Sequence, residues 1–133
     1  MPISGLRLQG IRNLVPQAIT PCAGINLLAG PNGAGKTSIL EAICLLGRGR
    51  SFRARSIEAV VAYSADHCTV FGLIDVTDGR GNQTQRRLGV SRETGGGFHF
   101  KVDGTTVTAA SALADILPLV LIRDHFRRQL PEK

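Results

Sequence analysis

Residues 30–37 read Gly30, Pro31, Asn32, Gly33, Ala34, Gly35, Lys36 and Thr37, the spacing G-x-x-x-x-G-K-[ST] of a loop that cradles phosphate. Glycines let the backbone curl until successive N–H groups point at one anion. At this spacing the Lys36 ammonium faces the β- and γ-phosphates of a nucleotide, and the Thr37 hydroxyl takes a position on Mg²⁺. A helix starting at the loop adds the positive end of its dipole. In a chain of 133 residues such a match arises by accident on the order of once in 200 sequences. The bland alternative is a glycine-rich turn with an exposed lysine.

A second group follows directly. Arg48, Arg50, Arg53 and Arg55 fall within eight residues that contain no acid. Guanidinium forks match phosphate oxygens, so this run reads as a nucleic-acid or nucleotide contact, against the alternative of a solvated basic loop. Four such contacts to DNA phosphates would give a salt slope of at most about −3.6 in log K. The whole chain carries a net charge of +6, consistent with a polyanionic partner.

Other chemistry is thin. Cys22, Cys44 and Cys68 are odd in number and widely spaced, which fits reduced thiols in the cytoplasm better than a disulfide framework or a zinc site. His67 beside Cys68 suggests a ligand pair, but with no second pair nearby, ordinary placement in or near a strand is the better reading. No basic-then-apolar leader opens the sequence, and the most apolar stretch, residues 116–122, contains Pro118 and is too short to cross a bilayer. At 43% hydrophobic and 20% charged residues, the chain has the composition of one folded domain.

The elements that must position these residues follow from periodicity. Ile3 to Leu8 alternates as a first strand, Arg12-Asn13 turns, and Gln17 to Pro21 is a weak second strand. Gly24 to Ala29 reads as a short buried strand entering the glycine loop. Thr37 to Leu46 reads as a helix with Ile39, Ile43 and Leu46 on one face, Leu40 and Cys44 beside it, and Gly47 as its stop. Residues 57–63 are apolar but short. Beyond them 69–107 predicts an antiparallel meander, turning at Asp78–Asn82, at Gly95–Gly97 and at Asp103-Gly104. A helix Ser111–Leu117 and a buried strand Leu119–Ile122 close the pattern, before a divergent basic tail over 123–133.

Taken together, several segments resemble the N-terminal part of the RecF family, bacterial replication-gap repair ATPases related to SMC heads. The resemblance rests on Arg12-Asn13, Gly24 to Leu28, the loop Gly30 to Thr37, Leu40-Glu41-Ala42-Ile43, and the run Gly47-Arg48-Gly49-Arg50-Ser51-Phe52-Arg53. Weaker matches are Val102-Asp103-Gly104 and Leu113-Ala114 through Leu117-Pro118 to Leu121-Ile122. It covers roughly residues 3 to 122. It implies an α/β fold, a P-loop NTPase of the ABC-type head class: a P-loop core over 1–56, an antiparallel β-meander over 69–107, and a helix and core strand over 109–122. It implies ATP with Mg²⁺ at Gly30 to Ser38, and Arg12 near the nucleotide phosphates, although Gly10 stands where Asn is common in that family. DNA at single-strand/double-strand junctions, RecO and RecR as partners in loading RecA, and an ATP-dependent homodimer belong to the same implication.

The departures carry as much information. The sequence holds no LSxGQ-like signature, and Asp124 is followed by His125 where that family needs Glu. Against the resemblance, the chain reads as a truncated or frame-changed head that binds nucleotide and does not hydrolyse it alone. The incomplete head would leave an apolar edge exposed beside the loop strand. Two other readings stay open: a basic module that binds nucleic acid without nucleotide, and another small P-loop NTPase.

Overall fold

Alternation in Ile3–Gln9 buries Leu6 and Leu8 and turns Arg7 and Gln9 to solvent, so this segment forms strand β1. The computed structural model describes residues 2–12, 14, 16–22, 24–29, 35–50, 61–62 and 65–119. Loop positions 30–34, Arg53, Arg55, residues 57–60, Tyr63 and the expected strand beyond Leu119 lie outside them. Further strands are β2 (Gln17–Ile19), β3 (His67–Thr77), β4 (Gln83–Glu93), β5 (Phe98–Val102) and β6 (Thr105–Val107). They form one antiparallel sheet in the order β2-β1-β3-β4-β5-β6. The expected meander is therefore present, and β1 joins it directly: Leu6 lies opposite Gly72 and Leu8 opposite Val70.

Turn chemistry sets the hairpins. Asp103 and Gly104 have φ values of 52° and 84°, the paired positive dihedrals of a two-residue hairpin turn between β5 and β6. The Asp78 carboxylate accepts the backbone N–H groups of Arg80 and Asn82 at 2.8 and 2.9 Å, closing the β3–β4 connection.

Helix α1 (Lys36–Arg48) and the short α2 (Ser111–Ala114) cover one face of the sheet. The core between them holds Leu8, Val70, Ile74, Leu88, Val90 and Leu45 among others, each worth about 1.5–3 kcal/mol relative to exposure.

Three expectations need correcting. Helix α1 runs through Gly47 and ends at Gly49, whose φ of 73° and N–H bond to the Leu45 carbonyl at 2.7 Å cap it. Gly47 is instead a close-packing site, where a Cβ would meet the Leu119 side chain at 2.6 Å. The buried stripe differs in part: Leu46 and Cys44 are buried as expected, with Ser38, Glu41, Ala42 and Leu45, whereas Ile39 and Ile43 are half-buried and Leu40 is exposed. Finally, α2 is four residues long rather than seven, and Leu119 stands in no strand.

The segment 24–29 departs furthest. It pairs with no described strand, and Ile25 and Leu27 are 96% and 88% exposed. Both edges of β1 are already taken, by β2 and β3. Asn26 supplies a competing arrangement: its Oδ1 accepts the Cys22 N–H at 2.8 Å, and its Nδ2 donates to the Cys22 carbonyl at 3.0 Å. Such side-chain-to-backbone bonds compete with a strand ladder. Between this segment and α1 lies an apolar cleft of about 390 Å³, lined by Leu6, Ile19, Leu28, Ile39 and Ile43.

Candidate phosphate-binding site

Gly35 precedes α1 with φ 96° and ψ 7°, a conformation that a residue with Cβ adopts only under strain. A side chain there would also overlap Leu14. The helix begins at once with Lys36, and the Ile39 N–H bonds back to the Gly35 carbonyl at 3.0 Å. No side chain caps this end, and no acid lies in the first turn. A helix start of this kind leaves backbone N–H donors and a positive dipole end for an anion. Lys36 is half-buried, Thr37 exposed and Ser38 buried. Of the expected loop, Gly35 to Ser38 are thus at the helix start, while 30–34 lie outside the described residues.

Arg12 comes to the same helix from the turn after β1. Its Nε donates to Glu41 Oε1 at 2.6 Å and its Nη2 to Oε2 at 3.0 Å, a two-pronged pair with Glu41 fully buried. Glu41 is five residues beyond Lys36, about 7.5 Å along the axis. Leu14, two residues after Arg12, packs on Gly35. One turn therefore touches both the start of α1, through Leu14, and its second turn, through Arg12.

Two residues here had no assigned role in the sequence reading. Glu41 is the acid among Leu40, Ala42, Ile43 and Leu45, and an acid inside a buried stripe signals a cationic partner. Gly10, the departure from the family pattern, has φ 76°, and a Cβ there would overlap the His67 carbonyl. Asn tolerates such a φ, but no side chain fits that contact.

The arginine run divides. Arg48 is half-buried and donates from Nη2 to the Leu119 carbonyl at 2.8 Å, which ties the end of α1 to the segment after α2. Arg92 reaches the Gly49 carbonyl from β4. Arg50 is exposed, and Arg53 and Arg55 lie outside the described residues. His67 is exposed at the start of β3, with Nδ1 2.7 Å from Asp66 Oδ1. Cys44 and Cys68 are buried and Cys22 is exposed; burial pushes the Cys68 thiol above its ordinary pKa. Among the described residues no His, Cys, Asp and Glu group could hold a metal, and no helix is long and apolar enough to cross a membrane.

Comparison with known proteins agrees with this geometry. The family model described as RecF/RecN/SMC N terminal domain matches residues 2–125. The DNA replication and repair protein RecF of Stutzerimonas stutzeri is 48% identical over 128 residues, covering 96% of this chain and 34% of that protein. RecF of Pseudomonas syringae pv. syringae is 46% identical over the same length. The chain thus spans about a third of the curated relatives it matches. Among solved structures, the recombination mediator RecF with ATP superposes at TM-score 0.74 with 27% identity, over 84% of this chain and 30% of that one. A chain from a study of SMC ATPases superposes at 0.78 with 21% identity, over 98% and 92%; at that identity the likeness is one of fold.

Proposed function

The chain belongs to the RecF/RecN/SMC N-terminal domain family, and from that premise we propose that it binds ATP at the Gly35–Lys36 helix start and takes part in DNA replication and repair. One observation carries the nucleotide reading: left-handed Gly35 opens a 13-residue helix whose first residue is Lys36, with no side-chain cap and no first-turn acid. Backbone N–H donors and the helix dipole at such an end favour an anion. Gly30 to Ala34 would complete the cradle, Lys36 would face the terminal phosphates, and the buried Ser38 would support the turn. Thr37 would hold Mg²⁺, which would neutralise phosphate charge. Arg12, held by Glu41, would add a second cation.

The RecF relatives are named for DNA replication and repair, and the matched structure contains ATP. On that support we assign this chain a cytoplasmic role at single-strand/double-strand DNA junctions. RecO- and RecR-type proteins are its partners in loading RecA, and an ATP-dependent homodimer is its active form. Arg50, Arg53 and Arg55 contribute DNA contacts, and Arg48 does so while anchoring Leu119.

Thermal unfolding with and without ATP tests the nucleotide reading. At ligand a hundredfold above Kd the fold gains about 2.7 kcal/mol, a shift of several degrees. Lys36→Ala abolishes it. A folded sample whose midpoint ignores ATP would count against the site.

A further inference from the structure

Helices α1 and α2 occupy one face of the sheet, and no described element covers the other. Strand register makes the composition of that open face explicit. Arg7, Phe71, Gly89, Lys101 and Thr106 lie directly opposite one another across β1, β3, β4, β5 and β6. Flanking rows are Gln9, Thr69, Ser91 and His99 on one side, and Gly5, Leu73 and Arg87 on the other. Alternation places all of them away from the core residues Leu8, Val70, Leu88 and Val90.

Three features of this face belong together. Arg7, Arg87 and Lys101 are exposed, and none has a carboxylate within 4 Å among the described residues. Arg7 and Lys101 stand three strand spacings apart, about 14 Å. Between them Phe71, half-buried and outside the core cluster, lies beside Gly89. Over Gly89 the surface sinks into a hollow of about 400 Å³ bounded by Thr69, Ser91, His99 and Lys101. The acids of the face are Asp75 and Glu93, toward opposite ends of the strands, with Glu93 3.9 Å from His99, and Asp103, which accepts the Arg87 N–H and pairs with Arg86.

We propose that this open sheet face binds single-stranded nucleic acid. Arg7, Lys101 and Arg87 take backbone phosphates, one base stacks on the Phe71 ring, and a neighbouring base enters the hollow over Gly89. Cations spaced along a flat sheet with an aromatic platform and a glycine beside it suit a flexible strand whose bases can be splayed out. A duplex keeps its bases stacked inward and has no use for the hollow. The surface is separate from the arginine run, because Gly49 packs against Phe100 on the helix-covered face. The inference deepens the DNA reading above and does not depend on the nucleotide loop.

The test measures binding of a fluorescein-labelled 20-mer oligo(dT) to the full chain as a function of salt. Losing two phosphate contacts in Arg7→Gln/Lys101→Gln lowers the log–log salt slope by about 1.4 and affinity about 25-fold at 0.1 M salt. Arg80→Gln, a charge change in the β3–β4 turn away from this row, leaves the slope in place. Phe71→Ala costs about fivefold or more without changing the slope. Ultraviolet cross-linking of a 5-iodouracil oligomer to the unmodified chain, mapped to the peptide containing Phe71 or Lys101, supports the site without any variant. An unchanged slope in Arg7→Gln/Lys101→Gln overturns the proposal, as does tighter binding of a duplex 20-mer than of oligo(dT). Loss of binding on replacing Arg48, Arg50, Arg53 and Arg55 by Gln, with none on the sheet-face variants, overturns it while sparing the broader DNA reading.

Discussion

Arg12 and Glu41 join the turn after β1 to the second turn of α1 by two hydrogen bonds, with the Glu41 side chain fully buried and the Arg12 side chain 23% exposed. The two ends of this pair are not equivalent. Removing Arg12 leaves a charge in the interior without its principal cation, whereas removing the Glu41 charge leaves an arginine with access to water. Arg12→Ala should therefore cost about 3 kcal/mol, near the lower end for breaking a buried pair, and Glu41→Gln less. Urea midpoints at neutral pH check the order; equal losses would remove the asymmetry, and losses near zero would show that the pair contributes little.

Gly10 and Gly96 separate two causes of glycine preference. Both have positive φ, 76° and 98°, but a Cβ at Gly96 meets nothing within 4 Å, whereas one at Gly10 overlaps the backbone carbonyl of His67. Gly96→Ala should cost about 1–2 kcal/mol of strain alone. Gly10→Ala should cost distinctly more, because β1 and β3 must separate to admit the methyl group. Denaturant unfolding of the two variants decides it, and equal costs would remove the steric account.

Local chemistry was legible in the sequence, and distant pairing was not. Asp103-Gly104 and Asp78–Asn82 announce their turns because the groups that close them are neighbours. Lys36 opens its helix where the loop pattern requires. Gly47 and Gly49 are both plausible stops by composition. Gly49 takes the cap, while Gly47 packs against Leu119, some seventy residues away. The Arg12–Glu41 pair spans 29 residues, and the pairing of β1 with β3 spans more than sixty. The exposed 24–29 segment misled because Ile25, Leu27 and Leu28 have strand-like side chains, whereas Asn26 and the occupied edges of β1 decide the backbone.

The β5–β6 hairpin should lose stability in acid through Asp103. The Arg87 N–H, and after it the Arg86 guanidinium at 2.6 Å, hold this carboxyl below its ordinary 3.8. With the folded value the lower one, the stabilisation is fully present above the unfolded pKa and disappears as pH falls through the folded value. Asn at this position keeps the left-handed backbone. The stability difference between the protein and Asp103→Asn should thus be present at neutral pH and shrink as pH falls below 3.8. A difference independent of pH would assign the effect to the turn rather than to the charge.

Nucleotide binding and turnover should come apart in this polypeptide. Binding relies on groups local to one helix start: Gly35, the uncapped first turn, Lys36 and Thr37. Turnover requires in addition a positioned water and charge stabilisation around the transferring phosphoryl group. The first turn of α1 holds no acid. Glu41 is fully buried and bonded to Arg12, so it is not placed to orient water. The 133-residue polypeptide should therefore bind ATP while releasing phosphate at the uncatalysed rate. A phosphate-release assay beside the thermal shift checks both halves at once. Release above background that Lys36→Ala eliminates would show that the helix start supports catalysis unaided.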